Sequence, residues 1–330
     1  MKKINLAVVG ATGMVGRTFL KVLEERNFPY DNLYLFASKN SAGSKLKCKG
    51  IEYTVEELTE NSFDGDIDIA LFSAGGNISL KYSPIAAKNG VIVVDNSSAF
   101  RMDKNIPLVV PEVNPEDILK HNGIIANPNC STIQAMVALK PIYDKYGIKR
   151  IVYSTYQAVS GSGVKGISDL EEGLKGNIQN KAYPHQIANN CLPHIDVFED
   201  NGYTKEEMKM VNETKKILND ESLRITATAV RVPVFYAHSE SINIETEKPF
   251  EIEDIKNIFK SAKGIILKDD VSNNVYPLAS EAEDTDEVYV GRIRRDFSLE
   301  NGLNLWVVAD NIRKGAATNT IQIAEELIKL

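Results

Sequence analysis

The chain has 330 residues, 43% of them hydrophobic and 25% charged, a globular composition with enough length for two domains. A net charge of −7 argues against a nucleic-acid partner, and no apolar run approaches the roughly 18 residues that a bilayer requires. Cys48, Cys130 and Cys191 lie far apart without CxxC spacing, so neither a disulfide framework nor a metal site is expected, and the pattern fits a reducing cytoplasm.

Met1-Lys2-Lys3 leads directly into an apolar strand rather than into a signal segment, and no internal repeat follows. Ile4 to Val9 is apolar apart from Asn5, the pattern of a buried parallel strand. It ends in Gly10-Ala11-Thr12-Gly13-Met14-Val15-Gly16, and a helix follows with Phe19, Leu20 and Leu23 on its apolar side. In this context the glycines let the backbone approach a pyrophosphate at the helix N-terminus. The spacing is GxxGxxG, a variant of the usual dinucleotide fingerprint. The second strand, Leu33 to Ala37, lacks the terminal acidic residue that binds the ribose hydroxyls of NAD. Ser38-Lys39-Asn40-Ser41 and nearby Lys45 offer hydroxyls and positive charge instead, which suits the 2′-phosphate of NADP.

Further strands are expected at Ile67–Ser73 and Val91–Asp95. Gly75-Gly76 follows the first, at a strand end that faces the cofactor crevice in such sheets. Asn96-Ser97-Ser98-Ala99-Phe100-Arg101 follows the second, and its amide, hydroxyls and arginine suit an anion. Val109–Asn114 and Gly123–Asn127 then lead to Pro128-Asn129-Cys130, at the start of the apolar helical run Ile133–Leu139. With Asn129 as N-cap, Cys130 lies in the first turn, where unpaired N–H groups and the helix dipole favour a thiolate and can hold an oxyanion.

Ile151–Tyr156 reads as a strand that ends in Gln157-Ala158-Val159-Ser160-Gly161-Ser162-Gly163. The small residues permit close approach of a ligand, and Gln157 is placed to orient a carbonyl or a water. Thr204 and Glu207 fit a capping box at the start of the next helix, a role that glutamine at 207 would also fill. Glu206 and Lys209 share a helix face and suit the two charges of a zwitterion. Ile225–Val230 is a strand, followed by Arg231 and, seven residues on, His238. An unbroken strand would turn these two to opposite sides, so Pro233 is expected to interrupt it. A lone histidine is more often structural than catalytic, but a thiol nucleophile needs a base, and His238 is a candidate for it. Val288–Arg294 and Leu303–Ala309 complete the strands, and Asp310-Asn311 starts a final helix with Ala316, Ile321, Ile323, Ala324 and Leu327 as its apolar positions. That helix is expected to pack onto the nucleotide-binding domain. Taken singly, each feature has a bland alternative: a small buried cysteine, a loop amide, an incidental arginine, a surface ion pair, a structural histidine.

The order of these segments resembles aspartate-semialdehyde dehydrogenase over nearly the full length. The matching stretches are Gly10–Gly16, Ser38–Gly43, Asn96–Arg101, Asn127–Thr132, Gln157–Gly163, Glu206–Lys209, Arg231–His238 and Asp310–Ala317. The resemblance implies an α/β chain: a Rossmann-type NADP-binding domain, residues 1–127 with 311–330, and a mixed-sheet catalytic and dimerisation domain, residues 128–310. It implies NADPH-dependent reductive dephosphorylation of β-aspartyl phosphate, on the way to lysine, threonine and methionine. Cys130 would form an acyl-thioester, His238 would be the acid/base and Gln157 would orient the reacting group. Arg231 would grip the substrate α-carboxylate and Glu206 its ammonium, with Arg101, Lys209 and Asn96 around the phosphate. Gly10, Thr12, Gly13, Met14, Val15, Gly16, Ser38, Asn40, Ser41, Ser160, Gly161 and Asn311 would hold the cofactor. Ala74 stands where some members have a polar cofactor contact. A homodimer is implied, with pairing into tetramers left open. Two alternatives stand beside this reading. One is N-acetyl-γ-glutamyl-phosphate reductase, which runs the same chemistry on a blocked amine that Glu206 would not favour. The other is a cofactor-binding sensor without catalysis, against which Cys130 and His238 argue.

Overall fold

The computed structural model describes residues 4–330, so Met1-Lys2-Lys3 and the reading placed on them lie outside the described residues. Contacts divide the chain into two units, Met1–Asn129 with Ala316–Leu330, and Cys130–Gly315.

The first unit runs β1 (Asn5–Val9), α1 (Met14–Glu25), β2 (Asn32–Ala37), β3 (Lys45–Cys48), β4 (Ile51–Glu57), β5 (Ile69–Phe72), α2 (Gly76–Lys88), β6 (Ile92–Asp95) and β7 (Ile124–Ala126). Its seven strands lie in the order β3-β4-β2-β1-β5-β6-β7, parallel except for β3. Leu6 to Val9 are fully buried, as a strand at the middle of a parallel sheet must be. The chain leaves β1 towards β2 and later returns to β5 on its other side. The end of β1 is therefore a topological switch point, where ligands bind in open α/β sheets. The β3–β4 hairpin and α2 were not among the expected elements. Lys45-Leu46-Lys47-Cys48 alternates exposed and buried, the mark of an edge strand.

The C-terminal helix Asn319–Leu327 packs Ile321, Ile323, Ala324 and Leu327 into the same core as Val8, Phe19 and Leu23. Arg26 clamps Glu325 with two hydrogen bonds of 2.7 and 2.8 Å. This helix does not start at Asp310. A π-helix over Arg313–Thr318 precedes it, opened by the Gly315 N–H donating to the Asp310 carbonyl at 2.9 Å. The Asp310 carboxylate accepts from Ile312 and Arg313 N–H and holds the wider turn in place.

The second unit comprises α3 (Cys130–Tyr146), β8 (Ile148–Gln157), α4 (Gly163–Leu174), α5 (Lys205–Leu218), β9 (Arg224–Arg231), β10 (His238–Thr246), α6 (Ile252–Ser261), β11 (Ile265–Leu267), α7 (Ala279–Ala282), β12 (Val288–Asp296) and β13 (Gly302–Ala309). The sheet is mixed, in the order β11-β12-β13-β10-β8-β9. Along β10, His238, Glu240, Ile242, Ile244 and Thr246 are buried, while Ser239, Ser241 and Asn243 turn the other way. That second face carries Tyr156 against Trp306, ring centres 5.5 Å apart, and a groove of about 360 Å³ lined by Ser239, Ser241, Tyr276, Leu278, Leu305 and Trp306.

The break forecast at Pro233 is present, since β9 ends at Arg231 and β10 begins at His238. The connector runs alongside the segment after β8. Val232 N–H donates to the Gln157 carbonyl at 3.0 Å, Val159 N–H to Val234 at 2.8 Å and Ser160 N–H to Phe235 at 3.1 Å.

Candidate functional site

At the end of β1 the backbone turns with Gly10 at φ +84°, and a Cβ there would lie 2.4 Å from the Ser73 carbonyl oxygen. A Cβ at Gly16 would lie 2.1 Å from the Gly10 carbonyl oxygen, so α1 can approach the strand end only without one. Gly13 is exposed and caps α1 without a side-chain hydrogen bond, and the first turn, Met14 and Val15 included, carries no acidic residue. Thr12 Oγ1 donates to Ser41 Oγ at 3.3 Å and joins this turn to the loop Ser38-Lys39-Asn40-Ser41, whose side chains are exposed or half-buried. Arg17, overlooked in the sequence, donates to the Thr12 carbonyl at 3.1 Å and adds a cation one residue beyond the last glycine. An exposed helix N-terminus, hydroxyls and cations without a carboxylate fit the phosphates of a dinucleotide.

Asn96 and Arg101 follow β6 in the same unit. The Arg101 Nη2 donates to the Asn96 carbonyl at 3.1 Å, and the Asn127 amide donates to Asn96 Oδ1 at 2.7 Å. Asp95 is buried beneath them and accepts from the Ser79 and Ser97 hydroxyls at 2.7 Å each. Burial raises its pKa, against those hydrogen bonds and the Arg101 charge.

In the second unit Cys130 opens α3 and is half-buried. A Cβ on Gly315 would come within 2.7 Å of the Cys130 Cβ, so the π-turn passes against the thiol's own residue and only glycine fits. One turn along α3, Gln134 Nε2 donates to the His238 carbonyl at 3.3 Å. His238 is fully buried, and its Nδ1 accepts the Ala158 N–H at 3.0 Å. The neutral ring therefore carries its proton on Nε2. Burial, and secondarily the Arg231 charge, push its pKa well below the usual histidine value. Gln157 Nε2 lies 3.4 Å from His238 Nε2, two donors side by side that can share one acceptor. The same amide donates to Glu206 Oε1 at 3.1 Å, and Thr155 Oγ1 donates to Gln157 Oε1 at 3.0 Å.

Arg231 is buried and donates to the Ala158 carbonyl at 2.7 Å; a Cβ on Gly161 would press to 2.9 Å from its guanidinium. Glu206 is buried beside Lys209, with 3.0 Å between Oε2 and Nζ, and Lys209 also meets Asp196 at 2.8 Å. Asn311 accepts the Ala237 N–H at 3.1 Å and donates to Ser160 Oγ at 3.0 Å. Ala237 has φ +65°, so Asn311 and Ser160 brace a strained residue directly before His238. Cys130, Gln157, Ser160, Gly161, Glu206, Lys209, Arg231, His238 and Asn311 thus all belong to the second unit, while the glycine turn, Ser38–Ser41, Asn96 and Arg101 belong to the first. Among the described residues no group of three or more His, Cys, Asp or Glu could hold a metal, and no helix is long and apolar enough to cross a membrane.

Glu240 escaped the sequence reading. It is fully buried two residues beyond His238, and neither carboxyl oxygen has a hydrogen-bond partner among the described residues. Burial, with the nearby Glu206 charge, raises its pKa well above the usual carboxylate value. The folded state thus keeps a proton that the unfolded chain releases above about pH 4.3. Stability from this group is present below that pH and lost as pH rises towards the folded pKa, at about 1.4 kcal/mol per pH unit. Glu240→Gln removes the titration. Its melting temperature relative to the parent is expected to rise as the pH increases above about 5 in calorimetry, whereas parallel curves would contradict a buried neutral carboxyl.

A parallel sheet with a glycine turn at its switch point, and a mixed sheet carrying a thiol at a helix start, define a nucleotide-dependent dehydrogenase with a separate catalytic domain. Residues 5–121 match the family profile "Semialdehyde dehydrogenase, NAD binding domain", and residues 139–314 match "Semialdehyde dehydrogenase, dimerisation domain". The chain belongs to the aspartate-semialdehyde dehydrogenase family. A relative of that name from Aquifex aeolicus is 62% identical over 98% of each chain. The crystal structure of aspartate semialdehyde dehydrogenase II from Vibrio cholerae, complexed with ASA, is 51% identical and superposes with a TM-score of 0.96 over 100% of this chain and 99% of that one. An aspartate semialdehyde dehydrogenase from Candida albicans with NADP is 27% identical, with a TM-score of 0.79 over 99% of each chain.

Proposed function

We propose that this chain reduces β-aspartyl phosphate to aspartate β-semialdehyde through a thioester on Cys130, in the route to lysine, threonine and methionine. The observation that carries the reading is the buried cluster of Gln157, Glu206, His238 and Arg231. In it Gln157 is bonded to Glu206, the Ala158 peptide is bonded by both His238 and Arg231, and Gln134 ties His238 to the helix that Cys130 opens. The Cys130 thiolate attacks the acyl carbon; a C–S bond forms, the C–O bond breaks and phosphate leaves. A nicotinamide cofactor, when bound, would supply the hydride that reduces the thioester carbon. The Nε2–H of His238 and the Gln157 amide stabilise the resulting oxyanion, and collapse breaks the C–S bond, returning the thiolate and freeing the aldehyde. Full acid/base exchange at His238 needs a second proton on Nδ1, which costs the Ala158 hydrogen bond, so the resting ring works as a donor.

Arg231 is assigned to the α-carboxylate, Glu206 to the ammonium, and Lys209, Arg101 and Asn96 to phosphate. Residues 1–127 with 311–330 are assigned to the nucleotide, of which 311–315 lie on the second unit's side of the chain division, and 128–310 to catalysis and pairing into a homodimer, for which the half-exposed sheet face around Tyr156 and Trp306 is suited. Widely spaced cysteines and a small-molecule biosynthetic task support a cytoplasmic enzyme. The deciding assay follows NADP reduction with aspartate semialdehyde, with and without phosphate. Phosphate-dependent turnover is expected, and turnover only with the N-acetyl-γ-glutamyl analogue would overturn the substrate assignment.

NADP is the proposed cofactor, on the carboxylate-free loop Ser38–Ser41 with Lys39, Lys45 and Arg17 nearby, and in keeping with the Candida albicans neighbour named with NADP. Ser38→Asp is expected to weaken NADPH binding roughly tenfold by repelling the 2′-phosphate, with little effect on NADH. Fluorescence titration of both nucleotides measures this; equal affinity of the parent for the two would refute the reading of the loop.

A further inference from the structure

The geometry points to Asp196 as a positioning residue that sets specificity, holding Lys209 so that Glu206 keeps its negative charge for a substrate ammonium while phosphate is bound only loosely. This inference rests on the roles proposed above for Glu206 and Lys209. Lys209 Nζ stands 2.8 Å from Asp196 Oδ2 and 3.0 Å from Glu206 Oε2, so one cation is shared by two carboxylates and these three groups carry one net negative charge between them, with the exposed Lys205 acting on Asp196 from outside. Burial opposes the Lys209 charge, yet the two carboxylates hold its pKa above the usual lysine value. Were Lys209 paired with Glu206 alone, the pair would be neutral and would offer little to an incoming ammonium. The same surplus charge opposes an anion on Lys209, which favours departure of the phosphate expelled by the thiolate.

Asp196 is held for this task by its own strap. At one end Leu192 exchanges two 2.8 Å backbone hydrogen bonds with Arg231. At the other, Lys205 N–H donates to the Val197 carbonyl and Glu199 N–H to Tyr203, both at 2.8 Å, at the start of α5. Between these anchors Asp196 takes φ +67°, and its Oδ1 accepts the Val197 N–H at 2.9 Å, leaving Oδ2 on Lys209. The left-handed backbone is one that Asp, Asn and Gly adopt most readily. The strap therefore joins the proposed carboxylate grip at Arg231 to the proposed ammonium and phosphate grips on α5.

The test uses Asp196→Asn, which keeps shape, backbone preference and the Val197 bond, and Asp196→Gly, which keeps the backbone preference alone. Steady-state kinetics of NADP reduction would vary phosphate and aspartate semialdehyde separately. In both variants the KM for phosphate is expected to fall and that for the semialdehyde to rise, each by roughly three- to tenfold for the loss of one half-exposed charge. A merely structural role would raise both constants together. Constants that move in the same direction, or not at all, overturn the assignment. Should the parent enzyme show no phosphate-dependent turnover at all, the functional reading falls and takes this inference with it.

Discussion

Cys130→Ala is expected to abolish turnover while leaving NADPH binding nearly intact. Removal of a covalent nucleophile costs on the order of 10⁴-fold or more in kcat, because no other group then supplies the bond-forming electron pair. The fold should tolerate the change. Gly315 approaches Cys130 through its Cβ and Cα, which alanine retains, and the residue is only half-buried. The turn Gly10–Gly16 belongs to the other unit, so nucleotide affinity is an independent readout. Cys130→Ser should be nearly as inactive, since a hydroxyl lacks thiolate character at neutral pH. Equal loss of NADPH affinity and activity would point to a folding defect instead. Full activity in either variant would end the thioester mechanism.

What could be read from the sequence was what local chemistry determines. The run Ile4–Val9 and its glycine turn specify a strand, a crossing point and a helix within 25 residues, and the structure has them at β1 and α1. Thr204 and Glu207 signal a helix start three residues apart, and both halves of the capping box are made, at 2.7 and 3.3 Å. Pro233 separates Arg231 from His238 because it cannot continue a ladder. The remainder depends on contacts between residues distant in sequence. Asp196 on Lys209 spans 13 residues and lies in a loop with no periodic pattern. Glu240 reads as an ordinary polar position in an alternating strand until the burial of that face is known. Gly315 is one small residue among several until the π-turn carries it against Cys130. The final helix was placed too early for the same reason, since the Asp310 carboxylate caps a wider turn that propensity does not foresee.

Glu206→Gln and Glu207→Gln are expected to fail in different ways, and the second differs from what the capping box alone foretold. On the sequence, glutamine at 207 should be mild, because it too can reach back to the Thr204 N–H. The structure gives the second oxygen a partner as well. Glu207 Oε2 accepts the Thr204 N–H at 2.7 Å and Oε1 accepts the Ala229 N–H of β9 at 3.0 Å. The side chain is buried, so glutamine would turn an NH₂ against one of two backbone donors. Leaving such a donor unpaired costs about 1–3 kcal/mol, a fall of roughly 1–4 °C in melting temperature for a chain of this size. Turnover of the folded fraction should stay near that of the parent, because Glu207 meets backbone rather than substrate. Glu206 is the reverse case. Its oxygens face Gln157 and Lys209, and loss of its charge removes the proposed partner of the substrate ammonium. A charge-assisted hydrogen bond contributes on the order of 1.5–3 kcal/mol, so kcat/KM should fall roughly 10- to 150-fold with a smaller change in melting temperature. Melting curves and kinetics on the two variants together resolve the assignment. If Glu207→Gln proves the kinetic variant, the ammonium lies on the β9 side of α5. If neither alters kcat/KM, it is held elsewhere, and the preference for a free over a blocked amine loses its structural basis.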